Sequence, residues 1–69
     1  MHLTDSEVDA ACHYIRRNME MHSWWPKAQP AEAQREFELM CGTALSLNVW
    51  CDRWLDEGQC KMLEKSVRG

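Results

Sequence analysis

A chain of 69 residues has room for one domain, residues 1–69, and one modest core. Eight basic residues against eleven acidic ones, a net charge of −3 and no basic run beyond Arg16-Arg17 argue against direct nucleic-acid binding. No stretch approaches the ~18 uninterrupted apolar residues of a membrane span, and the N-terminus has neither the basic nor the apolar region of a secretion signal, so a soluble cytoplasmic protein is expected.

The first predicted helix covers about residues 4–22. Thr4-Asp5-Ser6-Glu7 reads as a capping box with Thr4 as N-cap and Glu7 at N3, while Leu3 and Val8 sit where a hydrophobic staple forms. Acidic residues crowd its opening turns and Arg16 and Arg17 come later, the order that the helix dipole favours. Val8, Cys12, Ile15, Met19 and His22 follow the 4-3-4-3 rhythm of a helix packed on another helix. Pro26 ends this pattern by biasing Trp25 away from the α region. Trp24 and Trp25 then lie in a connection where one can cap the core and the other face outward.

Pro30 suits position N1 of a second helix, expected over residues 30–57. Such a helix would be about 42 Å long against about 28 Å for the first, so part of it outruns its partner. Gly42 reads as a point of close helix approach rather than a break, because apolar periodicity continues on both sides. Two apolar stripes run along this segment. An inner one, Phe37, Met40, Cys41, Ala44, Cys51 and Leu55, can meet the first helix. An outer one, Leu39, Thr43, Leu47, Trp50 and Trp54, is rotated by roughly 120°, so that together they span roughly 200° where a surface helix shows about 100°. Gly58 fits either a C′ residue or the interior of a second capping box, Asp56-Glu57-Gly58-Gln59, and a short helix is expected over about 59–66.

These elements predict an all-α fold: an antiparallel helical hairpin with a short C-terminal helix or extension. The outer stripe needs cover, and two hairpins can provide it for each other as a dimeric four-helix bundle. A target protein is the second candidate for that cover, and the tail folding back through Met62, Leu63 and Val67 is the third.

No residue pattern points to catalysis or to a cofactor. Cys12 and His13 are sequence neighbours about 100° apart on a helix and cannot act as a nucleophile–base pair. Cys12, Cys41, Cys51 and Cys60 contain no C-x-x-C pair and fit no usual zinc spacing, so they read as reduced, mostly buried thiols without a metal. The acidic groups around Glu32, Glu36 and Glu38, and around Asp52, Asp56 and Glu57, read as solvated helix faces. Phosphate loops, nucleophile elbows and paired-histidine motifs are missing.

The expected function is therefore that of a small non-enzymatic interaction module. Its size and type suit a phage-encoded inhibitor or regulator that blocks a bacterial protein, a defence complex included. Leu39, Leu47, Trp50, Trp54, Trp24 and Trp25 are the expected interface anchors, because large aromatics carry much of the energy at such contacts. Arg16 and Arg17 would orient the partner. Two alternatives are a secretion or assembly chaperone holding a partner helix, and a thiol- or metal-dependent sensor.

Overall fold

The computed structural model describes residues 1–21, 30–40 and 42–69. The predicted capping box forms at the chain's first turn. Glu7 reaches back so that its Oε1 accepts from Thr4 N at 2.8 Å and from Thr4 Oγ1 at 3.0 Å. Leu3 and Val8 on either side of it are both buried, as a staple requires. The first turn, Asp5–Glu7, is 3₁₀, and the chain then enters α1 (Val8–Glu20). Val8, Ala11, Ile15 and Met19 form its buried face, with Cys12 half-buried at the edge. The seam read from sequence is thus present at Val8, Ile15 and Met19, with Ala11 taking the central place given to Cys12, while its last member, His22, lies outside the described residues.

The segment expected to be one helix over 30–57 is divided twice, into α2 (Pro30–Leu39), α3 (Ala44–Trp54) and the start of α4 (Glu57–Arg68). Gly42 lies at φ +70°, a left-handed conformation in which any Cβ is strained. An added Cβ would meet nothing within 4 Å, so backbone conformation rather than close helix approach calls for glycine here. Thr43 then caps α3, its Oγ1 accepting from Ser46 N at 3.1 Å. The second division was legible as one of two readings of Gly58. Asp56 Oδ1 accepts from Gln59 N at 2.8 Å and Gln59 Oε1 accepts from Asp56 N at 3.1 Å, a complete capping box that opens α4.

The break at Gly42 lets α2 fold back along α3. On a continuous helix Phe37 and Trp50 would stand about 20 Å apart. Here their rings meet edge to face with centroids 5.1 Å apart, and the Trp50 indole Nε1 donates to Ala33 O at 2.9 Å. The helix pairs are therefore α2 with α3 and α1 with α4, rather than a first helix lying along one long second helix. Leu63 of α4 is fully buried in the same core as Ile15, Phe37 and Leu47.

The residues before α1 are tied to α3 and α4. The side-chain amide of Asn48 accepts from Leu3 N at 2.6 Å and donates to Leu3 O at 3.0 Å, holding that backbone as a neighbouring strand would. The Met1 amino group meets Asp52 Oδ1 at 2.7 Å. Arg68, at the end of α4, donates to His2 O at 2.7 Å and to both carboxylate oxygens of Glu7, at 2.6 and 3.1 Å. The radius of gyration, 10.8 Å, is close to the ~11 Å expected of a folded chain of this length.

Candidate interaction surface

Cutting the segment at Gly42 changes what its two stripes mean. In α3 the buried residues are Leu47, Trp50, Cys51 and Trp54, which span about 100° on a helical projection. This is one ordinary apolar face, assembled from members of both stripes. Leu47, Trp50 and Trp54, expected to face a partner, thus lie in the core of their own chain. Leu39, at the end of α2, is 77 % exposed and keeps the outward position expected of it. Trp24 and Trp25 lie outside the described residues, as do His22 and Cys41.

The burial of Trp54 is incomplete in one respect: its Nε1 is buried without a hydrogen-bond partner among the described residues. The ring is sheltered by the Arg53 guanidinium, 5.3 Å from its centroid. Arg16 lies similarly over Phe37 at 5.5 Å, so its aliphatic and guanidinium groups cover a core ring while remaining open to solvent. Arg17 is exposed on the same helix.

Opposite the buried side of α3, Leu45 is 78 % exposed and Val49 is 61 % exposed. At spacing i, i+4 they share one helix face. Together with Glu36, Ser46, Trp50 and Arg53 they line a shallow groove of about 350 Å³ along the α2–α3 pair. Arg53 Nη1 meets Glu36 Oε1 at 3.2 Å, joining the two helices beside it. Neither Leu45 nor Val49 belonged to a stripe in the sequence. On a single helix over 30–57 they share a sector with Glu38, Gly42, Asp52 and Arg53, which reads as the polar face. Only the recognition of Gly42-Thr43 as a stop followed by an N-cap could have isolated α3 and shown an apolar pair opposite its core face.

A second groove, about 410 Å³, has a different character. Asp52, Asp56, Glu57 and Glu64 line it beside Cys60 and Lys61. Its carboxylates are already engaged: Asp52 with the Met1 amine, Asp56 with the α4 cap, Glu57 with Lys61 at 3.3 Å and Glu64 with Arg68 at 3.6 Å. Among the described residues no three His, Cys, Asp or Glu side chains converge to hold a metal ion. Burial raises the thiols of Cys12 and Cys60 above the usual range and pushes Cys51 up to about 12, which suppresses the nucleophilic thiolate form. No described helix is long and apolar enough to cross a membrane.

Comparison with known proteins finds no matching family model, curated protein or solved structure.

Proposed function

We propose that this chain is a small, non-enzymatic interaction module and that its contact face is the α2–α3 surface around Leu45 and Val49. The observation that carries this reading is the exposure of two large aliphatic side chains one turn apart, beside a groove, on a helix whose other face is fully used by the core. An apolar pair of this spacing can pack against its own two-fold copy, and self-association through α3 is the first contact we assign to it. The surface also suits the inhibitor or regulator role, in which a chain without chemistry of its own blocks a surface on a bacterial protein, as a phage-encoded inhibitor would. The buried, protonated state of Cys51 weighs against the thiol-sensor alternative.

Light scattering on the wild type and on Leu45→Asp/Val49→Asp, with circular dichroism as a check on folding, tests the reading. The wild type is expected at twice the 8.1 kDa chain mass and the double variant at the single-chain mass with its helix content intact. A wild type that stays at the single-chain mass at high concentration would overturn self-association. Capture of the same bacterial protein by the wild type and by the double variant would then exclude this face from target binding as well.

A further inference from the structure

We draw no further inference here: the strongest candidate, the shallow apolar groove along α2 and α3 beside Leu45 and Val49, belongs to the surface already described, and nothing in the structure shows what else would cover it.

Discussion

Arg68 and Glu7 are 61 positions apart in sequence, yet their two-point ion pair closes the end of α4 onto the first turn of the chain. The Arg68 guanidinium, followed by the Thr4 backbone N–H, holds the Glu7 carboxyl down at about 2, against 4.5 for an ordinary glutamate. Glu7 therefore binds its proton less readily in the fold than in the unfolded chain. Its contribution to stability is complete above pH 4.5 and disappears as pH falls toward 2. Urea midpoints measured across that window should fall less steeply for Glu7→Gln than for the wild type; parallel curves would show that the pair contributes nothing. Cys51 offers a second measurement at this scale. Fully buried and pushed up to about 12, it should resist alkylation at pH 8 until the protein is unfolded, with mass spectrometry locating the label. Rapid native labelling of Cys51 would contradict its place in the core. Neither the ion pair nor the Asn48 clamp on Leu3 has a local sequence signal, because each depends on which distant helices the fold brings together.

At the scale of elements, the starts of helices were more legible than their continuity. Thr4-x-x-Glu7 and Asp56-x-x-Gln59 each formed the reciprocal bonds that their spacing suggests, since a capping box needs only residues three apart. Gly42 was harder, because glycine inside an apolar periodic segment can mean either a tolerated interior position or a stop. Its φ of +70° decides for the stop and supplies a test by sign. Gly42→Ala should destabilise the protein by about 1–2 kcal/mol, the cost of a left-handed conformation for an L side chain. In a continuous helix the same change would stabilise by about 1 kcal/mol, so thermal unfolding of this one variant separates the two arrangements. Once the segment is divided, the apolar surface of residues 37–55 resolves into an α2 face and an α3 face turned into the core, with Leu39, Leu45 and Val49 left exposed. A single continuous helix would rotate those faces into a common frame that the chain never adopts.

For the whole molecule, a core shared by all four helices makes stability depend on the C-terminal helix as well as on the first. Small domains of this length rarely gain more than about 3–5 kcal/mol from a single core. Leu63→Ala removes a fully buried side chain of α4, and such truncations cost about 2–5 kcal/mol. The variant should therefore populate the unfolded state substantially at 25 °C, as urea titration or near-UV circular dichroism would report; retention of wild-type stability would mean that α4 is peripheral. The sequence by itself determined the all-α class, the capped start of the first helix and the spacing of the α1 seam, and offered the cap of the last helix as one of two readings of Gly58, because those properties rest on period and on neighbours three or four residues apart. Only the tertiary structure decided that α2 turns back onto α3, that α4 rather than a long second helix lies along α1, and that Leu47, Trp50 and Trp54 belong inside. The physical reason is that an apolar side chain has no preference among apolar partners. Periodicity records that a face must be covered, while the backbone turn at Gly42 and the clamps from Asn48 and Arg68 select which face covers it.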